Sequence, residues 1–180
     1  MNRLIVAAVT LSLAAVTAHA ALKPGSKAPD FTTQASLGGK AFSFSLADAL
    51  KNGPVVLYFY PEAFTSGCTI EAHEFASAAD DYKAAGATVI GLSHDGIEKL
   101  QKFSVSECRN KFAVGADVDQ KIMKSYDAVL KEDPTYADRT SYVIAPSGEI
   151  LYSYTNMENP KEHVVKTLAA VRKWKADHPK

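Results

Sequence analysis

Strands alternating with helices and closing on a hairpin predict an α/β fold: a mixed central sheet flanked by helices. Three features of the sequence carry this expectation. Val55-Val56-Leu57-Tyr58-Phe59-Tyr60 is an unbroken apolar run, the pattern of a central strand covered on both faces. A helical stretch from about Ser66 to Ala85 follows it, stopped by Gly86. The last third holds two strand-like segments around Ala145-Pro146-Ser147-Gly148, then a helix striped by Val164, Leu168 and Val171.

The other elements can be placed in order. Phe31-Thr32-Thr33 and Phe42-Ser43-Phe44 read as a hairpin, with Leu37-Gly38-Gly39-Lys40 supplying the turn. Ser45 is positioned to cap a short helix through Leu50, ended by Asn52-Gly53. Thr88–Ser93 is the strand after the long helix, and Ile97–Glu107 a helix with Leu100 and Phe103 on one face. Phe112–Ala116 is a strand, and Asp119 is expected to cap a helix through Tyr126. A loop spans Asp127 to Asp138, strands cover Ser141–Ile144 and Glu149–Tyr154, and Asn159-Pro160 opens the last helix.

Length and composition narrow the function classes. At 180 residues one domain is expected. With 20 basic and 20 acidic side chains there is no basic stripe, which argues against nucleic acid as a partner. Two cysteines are too few for a disulfide scaffold or a four-thiolate metal site. Arg3, the apolar run Leu4–Val16 and Ala18-His19-Ala20 describe a secretory signal peptide over residues 1–20, leaving one domain over residues 21–180. The run is short for a membrane span, so no stable membrane association is expected. Export places the chain in the periplasm or outside the cell, where a cysteine pair can be oxidised.

The chemistry concentrates in Tyr58-Phe59-Tyr60-Pro61-Glu62-Ala63-Phe64-Thr65-Ser66-Gly67-Cys68. Cys68 follows a buried strand and sits in the first turn of a helix, where free amides and the helix dipole favour an anion. Thr65 is expected to turn its hydroxyl back toward the sulfur. Pro61 stiffens the strand exit and removes a competing amide donor.

Pro61, Thr65 and Cys68 match the Pro-x-x-x-Thr-x-x-Cys motif of peroxiredoxins. The wider stretch, with Cys68-Thr69-Ile70-Glu71-Ala72, resembles the Q-type branch, also called bacterioferritin comigratory protein. Ala28-Pro29-Asp30-Phe31 and Gly91-Leu92-Ser93-His94-Asp95 resemble further family segments, and Arg139 before Thr140-Ser141-Tyr142-Val143-Ile144 matches the family's active-site arginine. The resemblance implies a thioredoxin-like fold, and reduction of hydrogen peroxide and organic hydroperoxides without metal or organic cofactor. It implies a Cys68 sulfenic acid intermediate, a thioredoxin-like protein or small thiol as reductant, and a monomer or weak homodimer.

The implied roles have a physical basis. Lowering a thiol pKa from about 8.5 to about 6 raises its thiolate fraction at pH 7 only about thirtyfold. The rest of a fast reaction must come from stabilising charge that develops along the O–O bond. Arg139 is the cation for this task, Thr65 and the amides of Gly67 and Cys68 are donors, and Glu71 orients Arg139. Many Q-type members carry a resolving cysteine five residues after the peroxidatic one; here that position is His73. Cys108 is the remaining candidate, expected to lie far from Cys68 in the reduced fold, and an external thiol is the alternative.

Three other readings are weaker. A thioredoxin-like disulfide oxidoreductase would need a cysteine where Glu71 stands, and a periplasmic copper-binding chaperone on the same fold one where Ala72 stands. Ser93-His94-Asp95 cannot relay protons as a triad, because successive strand side chains point to opposite faces.

Overall fold

The structure is a computed structural model that describes residues 21–179. The expected signal peptide, residues 1–20, lies outside the described residues. The chain forms β1 (Thr32–Leu37), β2 (Lys40–Ser45), α1 (Leu46–Leu50), β3 (Val55–Phe59), α2 (Ser66–Ser77), α3 (Ala79–Ala84) and β4 (Thr88–Ser93). It continues with α4 (Ile97–Ser106), β5 (Ala113–Ala116), α5 (Lys121–Ser125), β6 (Thr140–Ile144), β7 (Ile150–Thr155) and α6 (Pro160–Asp177). One sheet of seven strands runs in the order β2-β1-β5-β4-β3-β6-β7. β3, β4 and β5 are parallel, as their helical crossovers require, and the remaining pairs are antiparallel. The predicted mixed sheet flanked by helices is therefore the fold.

β3 sorts its side chains onto the two faces of the sheet by the period of two. Val56, Tyr58 and Tyr60 enter the core under α2, α4 and α6, where Phe75, Phe103 and Val171 meet them. Val55, Leu57 and Phe59 enter the opposite core, with Leu46, Met123 and Tyr142. Every residue of β3 is buried, which explains its unbroken apolar run. Gly91 on β4 is fixed by this packing: a Cβ there would overlap the Tyr58 ring.

Two expectations are corrected. The stretch from Ser66 to Ala85 is two helices. Ala78 leaves helical geometry at φ −91° and ψ 1°, although its N–H still reaches the Glu74 carbonyl at 3.0 Å. Neither glycine nor proline marks the bend; tertiary packing does. The turn brings Tyr82 to α6, where its hydroxyl donates to the Val164 carbonyl at 3.0 Å and lies 2.7 Å from Thr167 Oγ1. At α5 the capping carboxylate is Asp117, which accepts from Ile122 and Met123 N–H at 3.0 and 2.8 Å. Asp119 stays at the surface, paired with the Lys121 side chain, and accepts only the Lys121 N–H, at 3.4 Å. A left-handed Gln120, φ 60°, shifts the helix start so that the more distant, buried aspartate faces the free amides.

Candidate active site

β3 lies beside the sheet's central strand β4, and the loop from Pro61 to Thr65 delivers Cys68 into the first turn of α2. Thr65 is the N-cap residue, but its side chain makes no capping bond, so helix amides are left for another acceptor. Cys68 is only 2% exposed and roofs the core built on Tyr58 and Tyr60.

Arg139, just ahead of β6, supplies the cation. Its Nη2 lies 3.6 Å from Cys68 Sγ, its Nη1 donates to Glu71 Oε2, and its Nε donates to the Met157 carbonyl at 3.1 Å. The guanidinium fits because residue 67 is glycine: a Cβ there would stand 3.0 Å from Nη2. Burial works against the charge, but Glu71 and Cys68 beside it hold the guanidinium firmly protonated. Glu71, one helical step after Cys68, is fully buried. Burial pushes its carboxyl up to about 8 against the pull of Arg139, and its Oε1 has no hydrogen-bond partner.

The structure thus brings Cys68, Glu71 and Arg139 together, with Gly67 leaving room for the guanidinium. Thr65 differs: its hydroxyl donates to the Glu62 carbonyl at 2.9 Å, bracing the loop where it was expected to face sulfur. The reason is local, since a three-residue turn brings that carbonyl within reach. Pro61 stands half-buried at the strand exit, as expected.

Cys108 is fully buried after α4, on the same side of the sheet as Cys68 and in the same apolar core. Both sulfurs are free thiols. Burial pushes the Cys108 thiol well up, with Glu107 adding to the effect. His73, on α2, faces the end of α4, its Nε2 2.8 Å from Glu107 Oε2. Among the described residues, Glu62, His94 and Asp95 are the metal-ligand types that converge, and neither cysteine joins them. Lys99 Nζ already lies 2.7 Å from both Glu62 and Asp95. Ser93 donates to Asp95 at 2.8 Å, while the His94 ring turns to the Thr135 carbonyl, so these three form no triad.

The AhpC/TSA family model matches residues 24–153. The chain belongs to the AhpC/TSA family. Within it, peroxiredoxin Q of Triticum aestivum is 35% identical over 148 residues, covering 82% of this chain and 66% of that protein. The bcp protein of Helicobacter pylori is 32% identical over 155 residues, covering 83% of this chain and 98% of that one. The chain spans only 64–66% of the length of the cereal peroxiredoxin Q relatives. Among solved structures, peroxidoxin BcpB of Mycobacterium tuberculosis superposes with a TM-score of 0.77 at 28% identity, over 84% of this chain and 97% of that one. AhpC of the same organism reaches 0.77 at 17% identity, which speaks for the shared AhpC/TSA fold.

Two participants escaped the sequence analysis. Met157 contributes a main-chain carbonyl, which no side-chain pattern reports. His163 is fully buried on α6, with Nδ1 3.8 Å from Glu71 Oε1. A polar residue beside the apolar position Val164 on a buried helix face was the signal available.

Proposed function

We propose that the protein is a thiol-dependent peroxidase acting on hydrogen peroxide and organic hydroperoxides through Cys68. The observation that carries this is one guanidinium, Arg139, held by Glu71 and Met157 and aimed at the Cys68 sulfur. In the reaction the Cys68 thiolate attacks the terminal peroxide oxygen. The S–O bond forms as the O–O bond breaks, Cys68 is oxidised to a sulfenic acid, and the other oxygen leaves as an alkoxide or hydroxide that takes up a proton. Arg139 can meet the sulfur and the nearer peroxide oxygen, and the start of α2 adds amides and the positive end of its dipole.

The cycle closes by reduction. A thiol condenses with the sulfenic acid, releasing water and leaving a disulfide, which a thioredoxin-like protein or small thiol then reduces. Cys108 is the internal candidate, since it shares a core with Cys68. Pairing needs Cα atoms within about 7 Å, and helix ends such as the start of α2 open most readily. The export signal read in residues 1–20 supports a periplasmic or secreted enzyme, working as a monomer or weak dimer. No helix of the described residues is long and apolar enough to cross a membrane.

Cys68→Ser tests the function. A serine hydroxyl stays protonated at neutral pH, so peroxide consumption should be abolished in a folded protein. Turnover near the wild-type rate would sink the reading. Intact mass after one equivalent of hydrogen peroxide identifies the resolving thiol. A loss of two hydrogens, absent in Cys108→Ser, assigns resolution to Cys108; a gain of one oxygen that persists assigns it to an external thiol.

A further inference from the structure

Glu71 is incompletely bonded. Oε2 receives Arg139, whereas Oε1 is buried with no partner. Behind it lies His163, fully buried and unused by the reaction derived above. Its Nε2 is 3.0 Å from the Asn156 carbonyl, which can only accept, so Nε2 carries a hydrogen. In the neutral ring Nδ1 is then an acceptor, with the Ser141 hydroxyl 2.8 Å away. Nδ1 also faces Glu71 Oε1 at 3.8 Å. The Ser141 hydroxyl donates to the Nδ1 lone pair, so the neutral ring offers Glu71 Oε1 no donor and this oxygen stays unmet in a dry interior. One proton held between Oε1 and Nδ1 removes the unmet acceptor.

We propose that Glu71 and His163 together hold one proton in the reduced enzyme, and that His163 is thereby a positioning residue for the charge of Arg139. This rests on the peroxidase reading and deepens it. Without the proton, Glu71 is a full carboxylate and cancels much of the guanidinium's charge. A thiolate, a carboxylate and one guanidinium would leave the pocket with a net negative charge. With the proton held, one guanidinium faces one thiolate, and its field falls on the sulfur and the peroxide, where negative charge grows in the transition state. The directions agree: burial raises Glu71 to about 8 and lowers His163 to about 4, so each resists its charged form.

The neighbouring charges are engaged elsewhere. Arg139 binds Glu71, Cys68 and Met157 as described. From β7, the Tyr154 ring stands 4.8 Å from the imidazole, and its hydroxyl donates to Glu162 at 2.7 Å. On α6, Glu162 and Lys166 pair at 2.9 Å. From β3, Tyr58 lies near Glu71 and is held neutral by burial.

The first test is infrared spectroscopy of the reduced wild-type protein at pH 7, with Glu71→Gln as the reference. A protonated-carboxyl band is expected in the wild type, shifted in heavy water and missing from Glu71→Gln. A folded wild type without the band overturns the proposal, and this readout needs no His163 variant to fold. The second test is the pH profile of Cys68 oxidation by hydrogen peroxide, followed by intact mass. In the wild type the rate should fall as the couple loses its proton at alkaline pH. The amide of His163→Gln can donate to Oε1 but cannot take up a proton, so the fall should move to lower pH by on the order of one unit, a tenfold change in proton affinity. In the Glu71→Gln background, His163→Gln should not alter the profile. An unmoved profile in His163→Gln, or a shift that survives in Glu71→Gln, overturns the proposal. Failure of peroxide to oxidise wild-type Cys68 would defeat the peroxidase reading instead, while the infrared band would still decide whether the couple exists.

Discussion

Cys68 and Arg139 meet only because Gly67 offers no side chain between them. A methyl group at that position would press on Arg139 Nη2 from 3.0 Å. The guanidinium cannot simply retreat, because Nη1 and Nε are tied to Glu71 and Met157. Gly67→Ala should therefore leave the fold intact and tilt the guanidinium by a few tenths of an ångström. The rate of Cys68 oxidation should drop on the order of tenfold, since misplacing a catalytic group by about 1 Å costs around a hundredfold. Single-turnover oxidation by hydrogen peroxide, beside a circular dichroism check of folding, measures this. A rate equal to wild type would show that the arginine's exact seat is unimportant. At this scale the sequence pointed to Cys68, Glu71 and Arg139, which the fold brings together, and to Gly67 as an amide donor. It misplaced the Thr65 hydroxyl, because a nearby carbonyl competes better for a donor than a more distant sulfur does.

At the scale of elements, short-range patterns located nearly all strands and helices, and packing decided where they break. The bend at Ala78 has no sequence marker; it follows from Tyr82 finding Val164 and Thr167 on α6. At α5, both Asp117 and Asp119 have the chemistry of a cap, and the left-handed Gln120 selects Asp117. Asp117→Ala should leave the Ile122 and Met123 amides without their acceptor in a mostly buried setting. A cost of about 1–2 kcal/mol is expected from a lost cap, read as a lower midpoint of urea denaturation. Asp119→Ala should cost much less, because its carboxylate is exposed. Equal losses in the two variants would return the capping role to Asp119.

Across the whole molecule, the buried carboxyl and imidazole make stability depend on pH in opposite senses. Glu71 rises from 4.5 to about 8 on folding, so the native state binds more protons between these values. Its contribution is complete at the acid end and is lost as pH climbs through that window. His163 falls from 6.5 to about 4, so here the unfolded chain binds more protons, and stability is lost as pH drops through 6.5. The two slopes oppose one another between pH 4.5 and 6.5, while Glu71 acts alone from 6.5 to 8. The denaturation midpoint of the reduced protein should thus decline from pH 6.5 to pH 8, and the decline should vanish in Glu71→Gln. A midpoint that rises over this interval in the wild type would contradict the assignment.

The sequence by itself determined the features that depend on neighbours along the chain. The buried run of β3, the loop from Pro61 and the placement of Cys68 in a first turn were legible because period and turn chemistry act over a few residues. Arg139 was legible through a motif shared with relatives. What only the tertiary structure decided is how groups distant in sequence share one dry volume. Glu71 was expected to orient Arg139, but only the fold showed that it is fully buried there with one oxygen unpaired. That Cys108 shares one apolar core with Cys68 also had no marker along the chain. His163 gave almost no sign, since its importance lies in facing an oxygen of Glu71 across two packed helices. Desolvation and through-space charge create these relations, and neither is encoded in the spacing of residues along the chain.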